Sequence, residues 1–297
     1  MRITLDWLGV ATYRLVIDGI VIFLDAYVDR VPAAPPVGIT TADIARADYV
    51  FIGHSHFDHL WGTERIAAGT GATVVGSYET VRLLHDSDLV PESQLIAVAG
   101  GEPVEVSPNV RVRAFPSLHS CIWARMAGAP GEACLGDLGL SCQTRRMRES
   151  RLMQAIQRGD MGREVASHLR DSDRHPRSDG GALAYLIETP EGSILWKDTS
   201  GHWSGIMHEL HPDLALLAAA GRGNVNGEPV QGSLAGFIAS EVEMLRPRKI
   251  ALCHHDNWMP PLTTATDVEP IKHELGRRAP GVELIEMPYL GGYRVLG

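Results

Sequence analysis

A chain of 297 residues is long enough to bury a full hydrophobic core, as one large domain or two small ones. With 44% hydrophobic and 21% charged residues, its composition is that of an ordinary globular protein, which excludes disordered and fibrous classes. The formal charge of −9 argues against a nucleic-acid scaffold, because a phosphate backbone demands positive surface.

In chain order, Ile3 to Leu8, Tyr13 to Ile17 and Ile20 to Leu24 read as strands, with Asp18-Gly19 as a hairpin turn. A loop carrying Pro32, Pro35 and Pro36 follows. Asp48 to Gly53 reads as a buried strand that runs directly into His54. Helix is expected over Thr63 to Ala68 and Tyr78 to Leu84, with a strand at Ala72 to Gly76 between them. Strand signal fades from about Ile122 to Gly180, where residues 145 to 177 hold nine arginines against five acids. That signal is present at Val110 to Phe115 before the gap and returns at Ala182 to Glu188 and Ser193 to Trp196 after it. A helix over Leu234 to Leu245 then leads to a strand over Lys249 to Cys253. Strands and helices on both sides of an irregular middle point to two packed sheets with helices outside. No apolar run nears the roughly 18 residues of a membrane span, and Asp6 interrupts the segment where a signal peptide needs apolar residues. The expected setting is therefore cytoplasmic, with no membrane span. Cys121, Cys134, Cys142 and Cys253 form no CxxC pair and are expected as free thiols.

The chemistry concentrates at Gly53-His54-Ser55-His56-Phe57-Asp58-His59-Leu60, which packs three imidazoles and a carboxylate into six residues. Imidazole nitrogen and carboxylate oxygen suit zinc and similar divalent ions. If the strand ends at Gly53, the loop turns His54 and His56 toward one metal, while Asp58 and His59 face a second from the start of a helix. Four such side chains after a buried strand are hard to satisfy without a metal.

His-x-His-x-Asp-His resembles the signature of the metallo-β-lactamase fold superfamily. The rest of the chain follows that pattern in order. His119 follows the strand at Val110 to Phe115; Asp198 follows a hairpin in Lys197-Asp198-Thr199-Ser200-Gly201, where Lys197 replaces the usual glycine; His254 follows the strand at Ile250 to Cys253. Trp7-Leu8-Gly9-Val10-Ala11 and Leu24-Asp25 further resemble the branch with sugar-lactone hydrolases and N-acyl phosphatidylethanolamine phospholipases. Two rivals remain for these positions. Asp137 sits in a Gly-Asp-Leu-Gly setting but lacks a preceding hairpin, so Asp198 is favoured. His255 adjoins His254, and neighbouring strand side chains point to opposite faces, so both are not expected to ligate.

The resemblance implies a single domain over residues 1–297, with the α/β architecture of a four-layer αββα sandwich. In it two mixed sheets pack together with external helices; residues 122–180, which the resemblance does not cover, are expected as an Arg-rich, mostly helical insertion. It also implies two divalent metal ions, zinc first, with manganese or iron as alternatives. His54, His56 and His119 would hold one, Asp58, His59 and His254 the other, and Asp198 would bridge them. Asp58 would be the catalytic residue, orienting an activated water and passing a proton toward the leaving group.

Trp61, Trp123, Trp203 and Trp258 each lie within five residues of a proposed ligand, and with His255 they are the expected substrate-binding residues. Aromatic walls would suit a substrate with an apolar or ring-shaped part. The segment Gln154 to His168 is expected either as a helical lid or as a solvated or homo-oligomer face. Hydrolysis of an ester or lactone bond in a small molecule is the leading function. A phosphodiesterase is the alternative, followed by an iron-dependent redox or oxygen enzyme.

Overall fold

The computed structural model describes residues 1–125 and 130–296. The expectation of an insertion over 122–180 therefore includes four positions, 126–129, that lie outside the described residues. The first sheet is built mainly from the N-terminal third. Its strands are β1 (Ile3–Trp7), β2 (Tyr13–Ile17), β3 (Ile20–Leu24), β4 (Tyr49–Phe51), β5 (Thr73–Gly76) and β6 (Leu95–Ala97). Short helix α1 (Phe57–Leu60) follows β4, and α2 (Thr63–Thr70) and α3 (Tyr78–His85) flank β5. Next come β7 (Pro103–Ser107) and β8 (Val110–Pro116), then helices α4 (Cys142–Gln157) and α5 (Arg163–Ser172). The second sheet continues with β9 (Leu183–Thr189) and β10 (Gly192–Lys197). The rest of the chain is β11 (Gly201–His202), α6 (Ser204–Met207), β12 (Leu214–Ala218), β13 (Asn224–Val225), β14 (Glu228–Pro229), α7 (Leu234–Leu245), β15 (Lys249–Cys253), α8 (Glu269–Arg278), β16 (Glu283–Ile285) and β17 (Tyr293–Leu296).

Two seven-stranded sheets have the orders β17-β1-β2-β3-β4-β5-β6 and β16-β15-β12-β10-β9-β8-β7. Each begins as an antiparallel meander and switches to parallel pairing midway, at β3/β4 in the first and β10/β12 in the second. No sequence repeat announces this structural echo. The Asp18-Gly19 turn joins β2 and β3 as expected, in full register from Ile17↔Ile20 to Tyr13↔Leu24.

Alternation along the strands assigns the layers. Ile3, Leu5, Tyr13 and Leu15 face Tyr185, Trp196 and Leu216 in the core between the sheets. On the outer face of the second sheet, Leu195, Leu217 and Leu252 pack against Phe237 and Ile238 of α7. On the outer face of the first, Phe23, Val50 and Val74 meet Ile66 and Leu83. The result is the expected four-layer αββα sandwich. Strand β12 is buried at every position because the first sheet covers one of its faces and helices cover the other.

The Arg-rich segment departs from a single Gln154–His168 helix. Gly159 and Gly162, both with positive φ, break it between α4 and α5. No helix among the described residues is long and apolar enough to cross a membrane.

Candidate metal centre

The site lies at the carboxyl ends of the strands, where open α/β sheets leave a crevice at the point of topological reversal. His54 follows β4, His119 follows β8, Asp198 follows β10 and His254 follows β15. His56 is the N-cap of α1, so Asp58 and His59 occupy its first turn, as expected from the motif. Close backbone approach makes Gly53 necessary here, since a Cβ would collide with the Asp198 carboxylate.

All seven ligand candidates converge. Three groups have potential ligand atoms within 4.8 Å of one another: His54, His56 and His119; His54, His59 and Asp198; Asp58, His59 and His254. His54 Nε2 is 3.0 Å from His56 Nδ1, and His54 Nδ1 is 2.5 Å from Asp198 Oδ2. Asp58 Oδ2 lies 3.4 Å from His254 Nε2 and 3.5 Å from His59 Nε2. His254 sits in the left-handed backbone region at φ 61°, and its N–H donates to the Val10 carbonyl at 2.6 Å. Such a conformation in a non-glycine residue is held only by surrounding structure.

Burial pushes the His54 and His56 imidazoles well below their ordinary value, and neighbouring imidazoles add to the effect. Both are neutral at pH 7, the form with a free lone pair. Burial works against ionised Asp58, but His59 and His254 outweigh it and hold its carboxyl well below the usual range. Burial also raises the Asp198 carboxyl. The residues fit a metal on a further observation. Asp198 Oδ1 and His254 Nδ1 are buried with no hydrogen-bond partner among the described residues, which leaves polar atoms that water would otherwise satisfy.

The sequence reading gave no role to Asp25. It lies buried just past β3, with Oδ2 2.5 Å from His59 Nδ1, and it accepts the Gly53 N–H at 3.0 Å through Oδ1. Burial raises its carboxyl to about 7 against the pull of His59. Its one trace in the sequence is an acid directly after the apolar run Ile20–Leu24, too common a pattern to mark a site.

The rivals resolve by placement. Asp137 pairs with Arg148 at 2.7 Å, away from the three groups. His255 stacks on Trp7 with centroids 4.6 Å apart, so only His254 joins the cluster. A cavity of about 1060 Å³ opens on His56, Asp58, His119 and His254. Of the expected substrate-binding residues, Trp258 lies in its wall, and Trp61, Trp123, Trp203 and His255 lie outside it. Trp61 packs edge-on to His168 beneath α5, with the Arg65 guanidinium over its ring. Trp123 lies under the Arg145 guanidinium. Trp203 caps α6 and is 40% exposed. The cavity wall is instead apolar through Phe57, Met153, Ile156, Met259 and Leu262, residues of α1, α4 and the loop after His254. His202 lies 2.7 Å from Glu241 and stacks on Phe237, outside this wall.

Residues 20–136 match the family model described as a Beta-lactamase superfamily domain. A UPF0173 metal-dependent hydrolase of Caldivirga maquilingensis is 31% identical over 116 residues, 39% of this chain and 48% of that protein. The match thus spans about half the length of the curated relatives. A metallo hydrolase from the archaeon Ignicoccus hospitalis aligns over 100% of this chain and 99% of its own, at 17% identity and a TM-score of 0.63. A metallo-β-lactamase fold protein of Bacillus subtilis aligns over 100% and 99%, at 9% identity and a TM-score of 0.54.

Proposed function

We propose that this chain, which has the metallo-β-lactamase fold, is a two-metal hydrolase that cleaves an ester or lactone bond in a small molecule with an apolar body. The convergence of seven imidazole and carboxylate side chains from both sheets at the mouth of one cavity carries the reading. The name of the Caldivirga relative, a metal-dependent hydrolase, supports the reaction class.

His54, His56 and His119 would hold one ion, Asp58, His59 and His254 the other, and Asp198 both. The donor set of nitrogen and oxygen suits zinc first and manganese or iron after it. Two such ions supply a nucleophilic water at neutral pH and draw charge from the bond under attack. Asp58, kept ionised by its two histidines, accepts a proton from the attacking water and returns it to the leaving oxygen. Asp25 fixes the ring of His59 through Nδ1. Trp258 and the apolar face of α4 hold the substrate body and exclude water from the reacting carbonyl. Leu152, Met153 and Ile156 lie at helical spacing on that face, which supports residues 122–180 as an insertion roofing the site.

Arg146, Arg177 and Arg222 also line the cavity, but Glu149, Asp173 and Asp267 line it with them, so among the described residues acids match the arginines in number, which disfavours a phosphate. The test is a panel of aryl esters, acyl lactones and phosphodiesters offered to metal-loaded protein. Turnover of apolar esters or lactones, with KM raised by Trp258→Ala, is expected. Turnover of phosphodiesters alone would overturn the ester assignment.

A further inference from the structure

Lys197 stands where the resembling family carries glycine. Alternation along β10 sends Ile194 and Trp196 into the inter-sheet core, and Leu195 and Lys197 to the opposite face against α7. Lys197 is fully buried, and its ammonium uses all three of its donors. It donates to the Thr199 carbonyl at 2.8 Å, to the Gly201 carbonyl at 2.9 Å and to Glu241 Oε1 at 2.9 Å. Glu241, also fully buried on α7, lies 2.7 Å from His202 Nδ1 through the same oxygen. Burial alone would push the Glu241 carboxyl up, but Lys197 and His202 hold it below its ordinary value, so Glu241 is a carboxylate facing the ammonium. The chain leaving β10 therefore curls around an ammonium, with Asp198 between the strand end and the first carbonyl gripped.

The same loop carries the His119 segment. Ser117 Oγ donates to the Gly201 carbonyl at 3.0 Å, and the Ser120 N–H donates to Thr199 Oγ1 at 3.1 Å. Asn224 ties the two together. Its N–H donates to the Ser200 carbonyl at 3.0 Å and its side-chain amide to the His119 carbonyl at 2.8 Å. A Cβ on Gly201 would collide with the Leu118 carbonyl, so the two stretches are in backbone contact. One unit thus presents Asp198 and His119, which belong to different groups of the centre.

A buried ion pair is often replaceable by apolar side chains without loss of stability, so its retention here calls for another account. We propose that Lys197, neutralised by Glu241, is a positioning residue that sets Asp198 and His119 at the spacing the metal centre needs. The inference rests on the metal reading given above.

The experiment titrates cobalt(II) into metal-stripped wild type, Lys197→Met/Glu241→Leu, Glu241→Gln and Leu195→Ala. The affinity, the visible absorption of the bound ion and the thermal unfolding of the metal-free protein are read for each. The double variant removes both charges together, so no unpaired charge is left buried. It should unfold near the wild-type temperature yet bind cobalt about ten- to a hundredfold more weakly, with a changed absorption band. Glu241→Gln keeps the side-chain shape and should weaken binding in the same direction, and it carries the test if the double variant does not fold. Leu195→Ala, on the same face of β10, should lower the unfolding temperature and leave the band unchanged. Wild-type affinity and absorption in either folded charge variant would overturn the inference. Failure of the wild type itself to bind cobalt would instead overturn the metal reading.

Discussion

Asp25 and Gly53 show how the residues around the motif govern its use. The Asp25 carboxylate spans His59 Nδ1 and the Gly53 N–H, joining the end of β3 to the loop that begins the motif. A carboxylate behind a ligating imidazole fixes its ring orientation, and its loss typically costs ten- to a hundredfold in metal affinity. Asp25→Asn should therefore weaken metal binding by about 1.4–2.8 kcal/mol while leaving the secondary structure intact. Titration calorimetry on stripped protein measures this directly, and unchanged affinity would remove Asp25 from the site. The six-residue motif was legible because its residue types have few uses side by side. Asp25 was not, because a lone acid after a strand is common, and its role appears only when β3 and β4 pair. The tryptophans show a different limit of the sequence. Nearness in sequence to a ligand does not fix direction, and Trp61 and Trp123 turn to stack under arginines.

Among the elements, those with strong periodicity matched the sequence closely: β2, β3, α7 and β15 have the expected bounds. Elements whose apolar pattern is thin, such as β6, β7 and β16, carry partly exposed residues and left no signal to read. Helix α3 illustrates how a surface element is tied to the segment before β9. Glu79 on α3 pairs with Arg82 and accepts the Arg177 N–H at 2.5 Å. The Arg82 hydrogen bond, helped by that backbone donor, lowers the Glu79 carboxyl from 4.5 to about 2. A carboxyl lowered on folding stabilises the native state above its unfolded value, and that contribution is lost as pH falls through the folded value. The stability advantage of wild type over Glu79→Gln should thus be full above pH 4.5 and shrink toward pH 2. Denaturant melts across that window check it, and a difference independent of pH would contradict the assignment.

At the scale of the whole molecule, two sheets of like pattern meet face to face, and each contributes ligand candidates from the ends of its strands. His54, His56, Asp58 and His59 come from the first sheet, and His119, Asp198 and His254 from the second. The centre therefore exists only when both sheets are packed, so metal binding and global folding are expected to be linked. The measurement that bears most directly on this account is metal content by elemental mass spectrometry, on wild type and on His119→Ala and Asp198→Ala. The account predicts about two zinc or manganese ions per chain in the wild type, fewer in each variant, and a parallel loss of ester or lactone turnover. Iron in the wild type would move the chemistry to oxygen or redox reactions, and a folded wild type that takes up no metal would contradict the account.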